Sequence, residues 1–240
     1  MNCTRKKVIT MTSERAVLKR CEDEIEKALA SLEMSGQLDE ALAAYRSTEA
    51  AVEAVESSPG DSVYAEKQKV LAYCLMRQVN ILRQLGQLEE ALVLSDRELT
   101  AARASDDEVT LARSLMSHGT TYIVNNNTEK GMTFIEEARP LFERGTTYDH
   151  IQGLGWYWIL KADLLNAGII PGEPSEVITA CDKALEILIP IKNWRGVARA
   201  YAARAQAHEN LGNHEKAVTD RKKQSEYEEI ASKKISNHKE

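Results

Sequence analysis

Leu85-Gly-Gln-Leu-Glu-Glu-Ala-Leu92 nearly repeats Ser35-Gly-Gln-Leu-Asp-Glu-Ala-Leu42, and a third version stands at Leu211-Gly-Asn-His-Glu-Lys-Ala-Val218. Each copy sets a glycine five residues ahead of a small residue. Each also lies between stretches whose apolar residues recur every three or four positions. A glycine that interrupts such a pattern supplies the left-handed backbone on which a helix ends. The stretch therefore reads as the turn of a helical hairpin, and its recurrence predicts a chain built from repeats.

The flanks of these turns give the rest of the organisation. Before Gly36, Val17, Cys21, Ile25, Ala28, Leu29 and Leu32 share one stripe; after it come Leu38, Ala41, Leu42, Tyr45 and Val52. These predict helices from Ser13 to the turn and from Leu38 to about Val55, with Ser57-Ser-Pro-Gly-Asp-Ser62 as the break. The second hairpin runs from near Ser62 to Leu85, with Leu75, Val79 and Leu82 inward, and returns over Leu88 to about Ala104. Ser105-Asp-Asp-Glu108 reads as a capping box that starts a third pair. That pair carries Leu111, Leu115, Gly119 and Tyr122 to an Asn125-Asn-Asn127 turn, then Gly131, Ile135 and Ala138 until Pro140 disturbs the helix.

Thr146-Thr-Tyr-Asp149 offers a cap for the fourth pair, which passes Trp156, Tyr157, Leu160, Leu164 and Leu165 to Gly168. It returns, after Ile169-Ile-Pro-Gly-Glu-Pro174, through Val177, Cys181, Ala184, Leu185 and Leu188. Asn193 caps the last pair, which holds Val197, Tyr201, Ala205 and Leu211. The final helix, with Ala217, Val218, Tyr227 and Ile230 among many charges, has the character of a polar end cap. The expected organisation is a tail over residues 1–12, one helical repeat domain over 13–235 and a short tail over 236–240.

Composition agrees with an all-α chain. Five prolines and two phenylalanines stand among 240 residues rich in Ala, Leu, Glu, Lys and Arg, which favours helix over strand. A formal charge of −6 argues against nucleic acid, whose binding rests on clustered cations. The charge is uneven. Residues 21 to 56 are acidic, while Lys192, Arg195, Arg199, Arg204, Lys216, Arg221, Lys222 and Lys223 make the other end basic. Two solvated faces explain this, as does head-to-tail self-association into a homo-oligomer.

Cys3, Cys21, Cys74 and Cys181 form no CxxC pair, so the spacing suggests neither a zinc site nor a disulfide framework. No cofactor or metal is expected. No apolar run approaches the ~20 residues that span a bilayer, and the run after Arg5, Lys6 and Lys7 is too short for a signal peptide. A soluble cytoplasmic protein, with no membrane partner, is expected.

Gly36, Gly86, Asn126, Gly168 and Gly212, taken as equivalent turns, lie 50, 40, 42 and 44 residues apart. In this the chain resembles the tetratricopeptide repeat (TPR) family, in the variety with roughly 40-residue units. The resemblance rests on apolar groups eleven, seven and four places before the turn: Ile25, Leu29 and Leu32; Leu75, Val79 and Leu82; Leu115, Gly119 and Tyr122. It rests also on Ala41, Ala91, Gly131 and Ala217 five places after it, where a small side chain lets two helices approach. Lys192-Asn-Trp-Arg-Gly-Val-Ala-Arg-Ala-Tyr201 is similar to the inter-repeat joint of that variety. The fourth copy departs, with Lys161 where a small residue is expected and an insertion after Gly168. The resemblance implies an α-α superhelix, a solenoid of about five antiparallel hairpins, with a concave groove lined by the first helix of each pair.

Residues 13, 10, 6 and 3 before each turn form a stripe beside the packing stripe, and the resemblance turns that stripe toward the groove. The second pair gives Tyr73, Met76, Asn80 and Arg83, with Arg77 alongside; the third gives Arg113, Met116, Thr120 and Ile123. Gly155, Trp158, Ala162 and Leu165 follow in the fourth, and Arg199, Ala202, Gln206 and Glu209 in the fifth. The candidate protein-binding residues are Tyr73, Met76, Arg77, Asn80, Arg83, Arg113, Met116, Thr120 and Trp158. Such a surface suits an extended peptide or a helix with acidic groups, Asn80 holding its backbone and Arg77, Arg83 and Arg113 its carboxylates. Some family members grip a chaperone's C-terminal carboxylate with paired lysines and asparagines. Here Met76 and Ser117 replace two of those residues, so that clamp is not expected.

An interaction scaffold or adaptor is thus the expected function. The alternatives are a regulatory peptide sensor and a scaffold that assembles through its acidic and basic ends. Catalysis is not expected: His118, His150, His208, His214 and His238 are scattered, and neither HExxH, GxSxG nor a glycine-rich phosphate loop occurs.

Overall fold

The computed structural model describes the backbone of residues 2–236 and the side chains of residues 13–233. Ten α-helices occur among the described residues: α1 (Asn2–Ser31), α2 (Leu38–Glu53), α3 (Ser62–Gln84), α4 (Leu88–Ala104), α5 (Glu108–Val124), α6 (Thr128–Glu143), α7 (Tyr148–Asn166), α8 (Pro174–Leu188), α9 (Trp194–Asn210) and α10 (His214–Ser236). They pair in chain order as five hairpins, and the fold is all-α.

The five turns share one mechanism. Gly36, Gly86, Asn126, Gly168 and Gly212 take φ of 76°, 73°, 62°, 66° and 73°, the left-handed region that glycine and asparagine enter most cheaply. The residue after each then donates its N–H back to the carbonyl four places before the turn residue. These bonds run Gln37 to Leu32 at 3.0 Å, Gln87 to Leu82 at 2.9 Å, Asn127 to Tyr122 at 2.9 Å, Ile169 to Leu164 at 3.0 Å and Asn213 to His208 at 2.8 Å. Each satisfies a carbonyl that a helix end leaves free, which is the Schellman closure.

The backbone of residues 2–12 opens α1. Met1 and residues 237–240 lie outside the described residues. Two local expectations need correction. The cap of α5 is Asp107, whose carboxylate accepts the Thr110 N–H at 2.7 Å, and not Ser105. Asp106 turns to φ 53°, so Ser105 ends α4 and its hydroxyl donates to the Ala102 carbonyl at 2.7 Å. Finally, α6 passes through Pro140 and ends at Glu143. The other caps follow the sequence: Thr147 accepts from the His150 N–H and Asn193 from the Gly196 N–H.

The chain divides into two compact units, Met1–Ala138 and Arg139–Glu240, with the boundary inside α6. In the first, Leu18, Ile25, Ala41, Tyr45, Val52, Leu75, Val79, Ile81, Leu82 and Ala91 are buried in one core cluster. Gly119 and Gly131 bring α5 and α6 together so closely that a Cβ on either would stand 2.5 Å from the other's carbonyl oxygen. In the second unit, Ile159, Ala184, Leu188, Val197 and Ala200 form one cluster, and Ala162, Leu165, Val177, Cys181, Ala203 and Ala207 another. Trp194, Tyr227 and Tyr201 stack in turn at 5.5 and 5.7 Å between ring centroids, which ties α10 to α9. The buried Cys74 and Cys181 thiols are pushed up to about 12 by burial.

Candidate functional site

Packing of the inner stripe decides which side of α3 and α5 remains open. Leu75, Val79 and Leu82 are fully buried and fix the rotation of α3; Leu115 does the same for α5. A stripe one position away then lies at the margin of the core. Tyr73, Met76, Arg77, Asn80 and Arg83 on α3 are half-buried, as are Arg113, Met116 and Thr120 on the neighbouring α5, while Ile123 is buried. Eight of the nine candidate residues therefore belong to the first unit. Trp158 belongs to the second.

The polar members of this stripe have intramolecular partners. Arg77 forks onto Glu33, through Nε to Oε2 at 3.1 Å and through Nη2 to Oε1. The Tyr45 hydroxyl donates to the same carboxylate at 2.8 Å. Burial works against the charge on Arg77, but Glu33 outweighs it and holds the guanidinium pKa above its ordinary value. The Tyr73 hydroxyl donates to Glu26 Oε1 at 2.7 Å; burial and that carboxylate together raise its pKa, while the charges of Arg77 and Arg113 reach it and oppose the rise. Arg83 donates through Nη1 to the Ser117 carbonyl at 2.7 Å and to Thr121 Oγ1 at 3.1 Å, and through Nη2 to Asn80 Oδ1. Burial pulls its pKa down to about 10, against the attraction of Glu98. The Thr120 hydroxyl donates to the Met116 carbonyl at 2.7 Å. What this side offers outward is thus chiefly the two methionines, the Tyr73 ring and the amide of Asn80.

Glu98, on α4, was not among the candidates. It is fully buried, its Oε2 accepts from the Ser117 hydroxyl at 2.9 Å, and Ser114 donates to it as well. Its Oε1 has no hydrogen-bond partner. Burial pushes the carboxyl up to about 8. The signal was present: Glu98 falls on the inward row of α4 with Leu94, Ser95, Leu99 and Ala102, a row legible for its apolar members only.

Near it, Ser95, His118 and Asp96 stand in the order of a hydrolytic triad. Ser95 Oγ is 2.9 Å from His118 Nδ1, and Asp96 is 3.7 Å from Nε2. Yet Ser95 is fully buried and its hydroxyl also meets the Leu92 carbonyl at 2.8 Å, so no substrate carbonyl can reach it. Burial lowers the His118 pKa, and the ring packs edge-on against Tyr122 and Phe134. No group of three metal-ligating side chains occurs among the described residues. No helix of these residues is long and apolar enough to cross a membrane. A shallow depression of about 330 Å³ lies among Glu53, Leu71, Asp96, Arg97 and Thr100 and contains none of the candidate residues.

In the second unit the same stripe is closed. Gly155, Ala162 and Leu165 are buried, the last two against Ala203 and Ala207 of α9. Trp158 is half-buried, edge-on to Tyr157, with Lys183 Nζ 4.1 Å from its ring centroid. Three arginines of the basic end carry internal partners. Arg199 meets Asp163 at 3.0 Å, Arg204 meets Asp182 at 2.5 Å and Asp220 at 2.8 Å, and Arg221 meets Glu209 at 2.9 Å.

Comparison with known proteins places this geometry. A tetratricopeptide repeat model matches residues 198–227, the last hairpin. No curated protein matches the chain in sequence. Among solved structures, BtubC (BKLC) from P. vanneervenii aligns over 91% of this chain and 92% of its own, at 12% identity and a TM-score of 0.58. A Podosopora anserina chain of nearly identical TPR-like repeats aligns over 89% and 97%, at 13% identity and a TM-score of 0.54. At such identities the likeness is one of fold, the α-α superhelix class. Residues 198–227 thus match a tetratricopeptide repeat in sequence, and the chain shares the all-α superhelical fold of these TPR-like structures.

Proposed function

We propose that the protein is an interaction scaffold that takes a segment of a partner protein along the stripe shared by α3 and α5. The observation that carries the reading is the half-exposed pair Met76 and Met116, with Tyr73 and Asn80 beside them. Methionine is flexible and polarisable, so such a pair adapts to apolar side chains of varied shape. The half-buried Asn80 adds hydrogen bonding to a backbone. Arg77 is spent on Glu33 and Arg83 on Ser117 and Asn80, which favours a segment held by apolar and carbonyl contacts over one held by its carboxylates. The protein acts by binding and not by catalysis, in keeping with the general role of TPR-like proteins as scaffolds.

Affinity capture from native extract tests this with three baits: the wild type, a Met76→Asp/Met116→Asp double variant, and Val93→Asp, which alters an exposed residue of α4. The expected result is a partner retained by the wild type and by Val93→Asp and lost from the double variant, with circular dichroism unchanged. A partner held equally by all three refutes the assignment.

A further inference from the structure

We infer that Arg83 is a positioning residue that fixes which end of the Asn80 amide faces outward, and that the protonation state of Glu98 sets its hold on Asn80. This rests on reading the α3 stripe as a binding surface.

An asparagine amide has one accepting end and one donating end, whereas a guanidinium can only donate. Arg83 Nη2 engages Asn80 Oδ1, so the Nδ2 end, with its two N–H groups, is the one offered to a partner. That end suits a carbonyl oxygen, such as those of an extended backbone, and repels another donor. Arg83 is held from behind by the Ser117 carbonyl and Thr121 Oγ1, which makes the orientation a property of the α3–α5 contact and not of the surface.

Ser117 also faces the other way. Its hydroxyl donates to Glu98 Oε2, so Arg83 and Glu98 meet at one residue without pairing with each other. Glu98 is fully buried and its Oε1 has no donor. A neutral carboxyl tolerates an unpartnered oxygen at modest cost; a buried carboxylate does not. Around Glu98, α5 supplies Ser114 and Ser117, and His118, which Ser95 takes up. From α2, Glu49 and Glu53 face α4 but are held by Arg97, and Glu49 also by Gln78. From α3, Arg77 is bound to Glu33, and the cation whose field reaches Glu98 is Arg83. Ionised Glu98 therefore draws the Arg83 guanidinium toward it and off Asn80 Oδ1. The amide is then free to turn, and the fixed donor is lost.

Nuclear magnetic resonance on the full chain tests this without any partner, so its failure is distinct from failure of the binding surface. The Glu98 carboxyl carbon and the Asn80 side-chain amide are followed from mildly acidic to mildly alkaline pH in the wild type, Glu98→Gln and Arg83→Lys. In the wild type both signals are expected to move with one midpoint. In Glu98→Gln the Asn80 amide stays flat across that range, and in Arg83→Lys Glu98 still titrates while Asn80 no longer follows. An Asn80 signal that does not move as wild-type Glu98 titrates overturns the proposal, as does one that moves unchanged in Glu98→Gln. Because Glu98→Gln keeps the shape of the buried side chain, that arm decides even where Arg83→Lys does not fold.

Discussion

The stripe thirteen, ten, six and three residues before the turn meets opposite fates on α3 and α7. On α3 it reads Tyr73, Met76, Asn80 and Arg83, and all four stay half-exposed; on α7 it reads Gly155, Trp158, Ala162 and Leu165, and all but the tryptophan are buried. The inner stripes do not account for this, since Leu75 and Tyr157, at matching positions, are both fully buried. The difference lies in side-chain size at the margin. Ala162 is buried with Ala203 and Ala207 of α9, whereas the larger Met76 and Asn80 of α3 are only half-buried. Larger side chains at the margin thus leave such a stripe half-buried, and small ones let it be buried.

The most severe way to break this contrast is to give α7 the residue of α3. Ala162→Asn forces a larger, polar amide into the space packed by Ala203 and Ala207. It is expected to cost on the order of 3 kcal/mol or more, read as a lower midpoint in urea denaturation. A second contrast concerns glycines. A Cβ on Gly119 meets the backbone carbonyl of Gly131 at 2.5 Å, while the atoms nearest one on Gly155 belong to the side chain of Leu188. Backbone cannot yield as a leucine rotamer can. Gly119→Ala is accordingly expected to lose about 2–3 kcal/mol, and Gly155→Ala about 1 kcal/mol or less after its gain in helix propensity.

The buried Glu98 gives the first unit a pH dependence. Its folded pKa lies above the ordinary value of 4.5, at about 8, so between those two values the folded chain holds a proton that the unfolded chain has released. Stability then falls as pH rises through that window, by at most about 1.4 kcal/mol per unit, and is level above it. Glu98→Gln is expected to flatten this slope and to exceed the wild type by about 1–3 kcal/mol at mildly alkaline pH. Equal slopes in urea titrations of the two proteins across the window contradict the burial argument. The smallest effect belongs to Asn80→Ala, the converse of the α7 exchange. Half-exposed and outside the core, it is expected to change stability by no more than about 1 kcal/mol, leaving binding as the property it alters.

How much of this the sequence carried depends on the range of the interaction. The five turns were legible because φ above zero restricts the residue type at one position, and Gly36, Gly86, Asn126, Gly168 and Gly212 all answer that restriction. Helix bounds such as Leu88–Ala104 followed from local periodicity. The Ser105 cap was misplaced by two residues because Asp106, and not a glycine, takes the left-handed turn, a choice that composition does not signal. The partners of the stripe were illegible for a different reason. Glu33 lies 44 residues from Arg77, and Glu26 lies 47 from Tyr73, so each pair joins neighbouring hairpins whose relative register only the folded chain fixes. Read alone, Arg77 and Arg83 looked like free cations for a ligand. The closure of α7 was likewise hidden, since Ala162 becomes informative only once α9 is known to lie against it.

The most direct test of the central claim, that the open stripe on α3 and α5 is where a partner lies, is site-specific photocrosslinking in the native cell. A benzoylphenylalanine replaces Met116 in one strain and the exposed Val93 in another. A defined protein adduct is expected from the first position and none from the second. Adducts from Val93 alone, or equally from both positions, contradict that claim.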